Sequence, residues 1–421
     1  MFPSVITRTA PAPETSGVLI AGGGQVGLAL ALALKQSAPN LAVTVVDAAA
    51  AGVRPREGRA STIVAGGRKM LEQLGVWENI ADAAEVVTAM VVTDSRTRDV
   101  VRPVFLTFGS NEGGMAHVVP DGVVVAALSE AARTAGVAIL APETIADFAV
   151  DEGKVTATTG GGKALAARLL VAADGVKSSL RAFAGIGTIG YDYGQSGIVV
   201  TVAHERPHGG KAEEHFLPAG PFAILPLRYK DGKHRSSLVW TEANQTAERL
   251  VAGDTMVFQV ELERRFGLRL GTIVVIDAPK AFPLSVWLAR EFVRPRFALA
   301  GDAAHSIHPI AGQGLNLGYR DAAALAETIV DAHRLGLDIG STTVLDRYQR
   351  WRRWDTAEMA MATDGLNRLF ANDSAALRIT RDIGLGIVDR LPNLKQLFMD
   401  EAAGGAGALG APPRLLRGEA I

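Results

Sequence analysis

Residues 17–47 read GVLIAGGGQVGLALALALKQSAPNLAVTVVD. Val18–Ala21 is a short apolar run that ends in glycines, which predicts a buried strand. Val26–Lys35 predicts an apolar helix, and Leu41–Asp47, β-branched and continuous, a second buried strand. Strand, helix and strand in that order form a βαβ unit, so the two strands run parallel. Gly22-x-Gly24-x-x-Gly27 stands between the first strand and the helix. Gly22 permits a tight turn, Gly24 lets the backbone approach a pyrophosphate, and Gly27 lets the helix pack close to the strand. Gln25 opens the helix, and Asp47 ends the second strand, where a carboxylate can accept ribose hydroxyls. A glycine turn adjusted only for packing is the alternative. Strand, helix and acid in place together favour a bound dinucleotide.

The composition agrees with a globular protein. The chain has 421 residues, 48% of them hydrophobic, enough for two or three domains. A net charge of −1 gives no attraction to nucleic acid or to an anionic membrane. The absence of cysteine excludes disulfides, thiolate metal sites and a cysteine nucleophile, and fits a cytoplasmic location. The longest uncharged run, Gly17–Leu34, is broken by glycines where the strand turns into the helix, so it is not read as a membrane span.

Further along, Arg68–Leu74 and Gly122–Gly136 look helical, and Met90–Thr93 and Val101–Phe105 strand-like. Ile145–Val150, Lys154–Thr159 and Arg168–Ala172 predict strands, the first two joined by a hairpin turn at Asp151-Glu152-Gly153. From 190 to 288 short strands (Ile198–Ala203, Phe222–Arg228, Ser236–Thr241, Lys280–Val286) predict an antiparallel sheet, interrupted by one helix, Ala247–Phe266. Arg296–Ala300 returns to the buried-strand style, and the chain from Thr342 to about Phe398 reads as helical.

The second ligand signal is residues 299–321, LAGDAAHSIHPIAGQGLNLGYRD. A strand ends at Gly301-Asp302, and Gly312-Gln313-Gly314 opens a helix through Leu315 and Asn316. Asp302 can hold a polyol hydroxyl, and backbone N–H groups from Gly312 to Asn316 can face an electron-rich ring edge. Pro309 can line the ring face. Asp174, in Ala173-Asp174-Gly175-x-x-Ser178-x-x-Arg181, follows another buried strand, and Arg59 lies in a loop suited to a pyrophosphate or ribityl chain. His305-x-x-His308 has no third clustered ligand and runs into Pro309, so no metal site is expected. His305 is read as a structural hydrogen-bonding group. Two sites so far apart in sequence imply one extended ligand. FAD fits, whereas NAD needs no second site.

These motifs together resemble the single-component flavin-dependent aromatic hydroxylases. The run His308-Pro-Ile-Ala-Gly-Gln-Gly-Leu-Asn-Leu-Gly318 is similar to the branch that hydroxylates polyprenylated phenols in ubiquinone biosynthesis, notably its alphaproteobacterial members. Phe216–Leu227, Tyr348-Gln349-Arg350 and Pro413–Ala420 resemble the same branch, and the likeness runs from Gly17 onward. One departure is Pro120-Asp121-Gly122, where the branch has an Arg at 122. The resemblance implies an α/β fold. A Rossmann-like, three-layer FAD-binding domain with a parallel sheet (17–80, 116–183, 290–340) is interleaved with an antiparallel-sheet substrate domain (81–115, 184–289). A disordered N-terminus (1–16), C-terminal helices (341–400) and an irregular tail (401–421) complete the chain. It implies a flavin C4a-hydroperoxide that hydroxylates a phenol ring, fed by O2 and by NAD(P)H or a ferredoxin-type donor. Pro309, Gly312, Gln313 and Gly314 form the expected reaction chamber, and His215, Phe222, Leu225 and Pro226 the expected substrate pocket, with ordinary sheet core as the alternative for Phe222 and Leu225.

The expected partners are the polyprenylphenol substrate, other ubiquinone-biosynthesis proteins, the inner-membrane surface as a peripheral contact, and a second copy of the chain in a homo-oligomer. Nucleic acid is not expected. The rivals are a halogenase, a prenyl reductase or epoxidase, and a non-catalytic FAD-holding subunit. The five tryptophans (77, 240, 287, 351, 354) never stand at i, i+2, which disfavours the halogenase.

Overall fold

The computed structural model describes residues 14–50, 58–94, 104–109, 114–370 and 411–421. The expected βαβ unit forms as β1 (Glu14–Ala21), α1 (Gln25–Ser37) and β2 (Val43–Val46), with β1 and β2 parallel. It belongs to an eight-stranded sheet whose parallel strands also include β8 (Ala138–Leu140), β11 (Ala164–Ala172) and β19 (Phe297–Leu299). Their order is β19-β11-β1-β2-β8, with the two-residue β18 (Val293–Arg294) antiparallel at the β19 edge. The hairpin of β9 (Ile145–Val150) and β10 (Val155–Thr159) pairs antiparallel onto β11. Leu28 to Leu34 of α1 are buried on every side, because α1 lies between the sheet, α3 (Asp121–Thr134) and α7 (Gln313–Arg334). A helix apolar all round is stable only with such company. This layer carries the largest core, which also takes in α2 (Ala65–Gln73).

A small sheet of β3 (Ala60–Val64), β4 (Glu85–Val87) and β7 (Ala116–Pro120) bridges to a nine-stranded sheet. Its strands are β5 (Ala89–Asp94), β6 (Val104–Gly109), β12 (Thr188–His204), β13 (Lys211–Leu217), β14 (Gly220–Lys230), β15 (Lys233–Ala243), β16 (Ile273–Val275), β17 (Lys280–Ala289) and β20 (His305–Ser306). It is antiparallel except where β5 lies parallel beside β13.

One face of this sheet packs on helices. Ile198, Leu217, Phe222, Ile224, Leu238 and Trp240 meet Ala247, Phe258, Leu262 and Phe266. Those helices are two, α5 (Asn244–Ala252) and α6 (Thr255–Phe266), where the sequence predicted one. The break is local chemistry: Gly253 ends α5, and the Asp254 carboxylate accepts the Met256 N–H (2.6 Å) to start α6. The opposite face turns toward the parallel-sheet layer, with Phe216 and Val92 against Ile310. Helix α8 (Thr342–Phe370) packs along α7 and against this sheet.

Both chain ends depart from expectation. β1 begins at Glu14, inside the segment expected to lack structure. The tail expected to be irregular closes on a short helix, Arg414–Arg417, with Leu415, Leu416 and Ile421 buried in the main core. Arg414 fastens it through Glu327 (3.2 Å) and Asp331 (2.5 Å). The expectations for 1–13, 101–103 and 371–410 lie outside the described residues.

Candidate active site

Three turns meet at the carboxyl edge of the parallel sheet, after the neighbouring strands β1, β11 and β19. The first is Gly22–Gly27. Gly22 has φ 115°, and a Cβ there would lie 2.2 Å from the Ala173 carbonyl oxygen. A Cβ on Gly27 would lie 2.0 Å from the Gly22 oxygen, so only glycine lets α1 approach. A Cβ on Gly24 meets nothing within 4 Å: the backbone there borders open space. The first turn of α1 holds no acidic side chain to compete with an anion for its unpaired N–H groups. The Asp47 carboxylate lies against Gly23, at the rim of the same turn. Gln25 is engaged by its side chain, which accepts the Tyr319 hydroxyl at 2.7 Å, so its backbone N–H is what it offers a ligand.

The second turn holds Asp174. Burial raises its carboxyl above the usual range against the pull of Ser178. Ser178 caps α4 (Ser179–Phe183) by accepting the Arg181 N–H (3.0 Å). Arg181 donates to the Ala303 carbonyl (2.9 Å) and lies over the Trp287 ring, tying this motif to the third turn.

The third turn is Gly301–Ala303, followed by the loop to α7. Gly301, at φ 61°, sits against Val26 of α1, and Gly318 admits the same side chain. Asp302 is exposed at the rim. Gly312 takes φ 64° and caps α7, whose first turn also has no acid, and a Cβ on Gly314 would meet nothing. The N–H groups of Gln313, Gly314 and Leu315 are therefore at a helix start beside open space. The Asn316 side chain is fully used: it donates to Thr62 O (2.9 Å) and Gly312 O (3.0 Å) and accepts the Val64 N–H (3.2 Å). It clamps the loop to β3, and only its backbone can serve a ligand.

Beneath lies a network the sequence did not announce. The fully buried Asp321 accepts the Gly301 N–H (2.9 Å), meets His305 Nε2 (2.6 Å) and accepts Arg352 Nε (2.7 Å). Burial alone would raise its carboxyl, but His305 and Arg352 hold it below the usual range. His305 is thus a support for the turn, as read from the sequence. Arg59 pairs with Asp121 (3.3 Å), whose carboxylate also accepts the Ser61 hydroxyl (2.6 Å). Asp121 comes from the segment that departs from the branch.

The pocket expectation needs correction. His215, Phe222 and Pro226 sit at alternate positions that face the helices, not the ring loop. Phe222 is in the core with Trp240 and Phe258, and His215 stacks on Phe222 and bonds the Thr93 hydroxyl (2.7 Å). Pro226 shares that parity, two positions on from Ile224. Side chains alternate along a strand, so a one-residue error in parity selects the wrong face. Leu225 has the other parity, but packs in the seam with Val64, Val87 and Val118. Among the described residues, Phe216 and Val92 pack against Ile310 of the ring loop.

A family model for an FAD binding domain matches residues 15–363. The chain belongs to that family. It is 41% identical over 419 residues to the ubiquinone hydroxylase UbiL of Rhodospirillum rubrum, covering 97% of this chain and 94% of that protein. It is 34% identical to the 3-demethoxyubiquinol 3-hydroxylase of Escherichia coli, covering 93% of this chain and 99% of that one. Among solved structures, p-nitrophenol 4-monooxygenase PnpA of Pseudomonas putida superposes with a TM-score of 0.77 at 21% identity, over 94% of this chain and 100% of that chain, which shows a shared fold. The protein is an FAD-dependent monooxygenase, and the open cradles at Gly24 and Gly314 fit an extended dinucleotide.

Proposed function

We propose that the protein adds a hydroxyl group to the aromatic ring of a polyprenylated phenol in ubiquinone biosynthesis. The observation that carries this reading is likeness along almost the whole chain to ubiquinone hydroxylases. In this reading Gly22, Gly24, Gly27 and the start of α1 hold the pyrophosphate, and Asp47 the ribose. Asp302 holds the ribityl chain, with Arg59 and Asp174 flanking the cofactor. The N–H groups between Gly312 and Asn316 face the pyrimidine edge, where they stabilise the negative charge of the reduced ring. Bound FAD supplies the activation of O2, with electrons from NAD(P)H or a ferredoxin-type donor.

The chain supplies position and dryness. Pro309, Ile310 and Phe216 offer an apolar floor that excludes water from the reacting centre. The substrate's polyprenyl tail favours peripheral contact with a membrane surface. No helix among the described residues is long and apolar enough to cross one.

The test uses FAD-loaded protein, a reductant, a short-chain prenylphenol and 18O2. One labelled oxygen on the ring is expected. Reductant consumed with no label in the phenol would overturn the reading. The purified protein should show flavin absorbance at roughly 370 and 450 nm.

A further inference from the structure

His308 stands one residue before Pro309 and is fully buried, yet neither ring nitrogen has a hydrogen-bond partner among the described residues. A buried polar group left unpaired costs about 1–3 kcal/mol, so an imidazole kept in this position is short of a partner. Its neighbours do not supply one. The ring stands edge-on to Tyr193, centroids 5.0 Å apart. Tyr193 donates its hydroxyl to Asp364 of α8 (3.1 Å), and Asp364 is shared with Tyr191 and Arg368. A bulge in β12 between Asp192 and Gln195, with Gly194 at φ 70°, sets Tyr193 in this place. Bulges commonly re-aim side chains beside active sites.

Two more buried polar atoms without partners among the described residues lie along the same seam of α8 and sheet. Asn367, three residues on from Asp364, donates to Gln195 (3.3 Å) but its Oδ1 is unpaired. Gln195 donates to Ala219 O (2.8 Å), next to Gly220, which packs against Thr241, whose hydroxyl is also unpaired. Burial pushes the His308 pKa down to about 4, against the opposing pull of Asp364, so the ring is neutral near pH 7. A neutral imidazole has one acceptor and one donor to offer.

We propose that His308 binds the ring hydroxyl of the substrate, accepting a hydrogen bond from it. This rests on the phenol-hydroxylase reading above and names the residue that recognises the phenol. The contact has a chemical use. A phenol that donates its proton to an acceptor is richer in electrons at the ring carbons ortho and para to the oxygen, which are the carbons an electrophilic oxygen attacks.

The test titrates FAD-loaded full-length protein with 2-prenylphenol and with its methyl ether, 2-prenylanisole, and reads the flavin absorbance change. The ether keeps the shape and lacks the donor. The wild type should bind the phenol about tenfold more tightly than the ether. His308→Leu should bring that ratio to near one, with FAD content and affinity for the ether unchanged. Equal binding of the two by the wild type, or a ratio that survives His308→Leu, overturns the role of His308 and leaves the hydroxylase reading intact. Should His308→Leu not yield FAD-loaded protein, His308→Gln decides. Its acceptor is displaced, so a ratio reduced about threefold or more supports the contact, and an unchanged ratio overturns it. Binding of neither compound by the wild type overturns the hydroxylase reading, and this inference with it.

Discussion

Gly24 and Gly27 sit three residues apart and do opposite things. Gly27→Ala drives a Cβ into the Gly22 carbonyl, so α1 must move off β1. Gly24→Ala adds a methyl group to open space. The expected outcome is a split. Gly27→Ala yields little soluble protein, whereas Gly24→Ala melts like the wild type without cofactor but binds FAD about tenfold or more weakly, a cost of about 1.4 kcal/mol. Thermal melts with and without added FAD check both. This much was legible in the sequence, because a glycine's role follows from its place between strand and helix. The work of Asp321 was not legible, since its partners His305 and Arg352 are brought to it only by folding. Two histidines set a pH dependence of stability. Burial lowers both His117 and His308 to about 4. The unfolded chain takes up each proton near 6.5, the folded one only near 4. Stability from this source is therefore full above pH 6.5, falls as pH drops toward 4, and is not lost further below. The pair is worth on the order of a few kcal/mol. Urea midpoints at pH 7.5 and 4.5 should differ accordingly, and His117→Asn should reduce the difference.

At the scale of elements, the sequence placed the strands made of apolar, β-branched runs, but missed β13 and read faces poorly. β13 (KAEEHFL) has no such run, and it is buried over Ala212–Leu217 with polar side chains of both parities, so the residue pattern does not mark its faces. Only the packing of α5 and α6 on one side and Ile310 on the other distinguishes them. Adjacent strands permit a direct check. Phe222→Ala should cost about 3–5 kcal/mol of unfolding free energy with little change in KM once folded. Phe216→Ala, on the ring-loop face, should raise KM for the phenol severalfold and cost less stability. Denaturant titrations and steady-state kinetics on the two variants would expose the assignment as reversed if the effects exchanged places.

For the molecule as a whole, the two half-sites become one because α7 and α8 are bolted beneath the third turn. Asp321→Asn leaves the buried Arg352 cation with Asp355 as its remaining carboxylate and releases the Gly301 N–H. A loss of about 3–5 kcal/mol is expected. FAD should also come off more readily, by equilibrium dialysis, because the turn carrying Asp302 loses its support. The overall α/β plan was legible because both ends of the ligand site carry glycine-rich turns after apolar strands. The packed chain end was not. Gly/Ala/Pro composition over 401–421 reads as irregular, yet Leu415, Leu416 and Ile421 find a core built from strands and helices distant in sequence.

The burial of α1 on every side has a consequence for biosynthesis. Its neighbour α7 leaves the ribosome nearly three hundred residues after it. Through that interval the nascent chain carries LALALAL, residues 28–34, with one side uncovered. Such long-range closure slows folding and exposes apolar surface while translation proceeds. The side of α1 that α7 covers is therefore bare apolar surface during synthesis, a site at which the unfinished chain can aggregate.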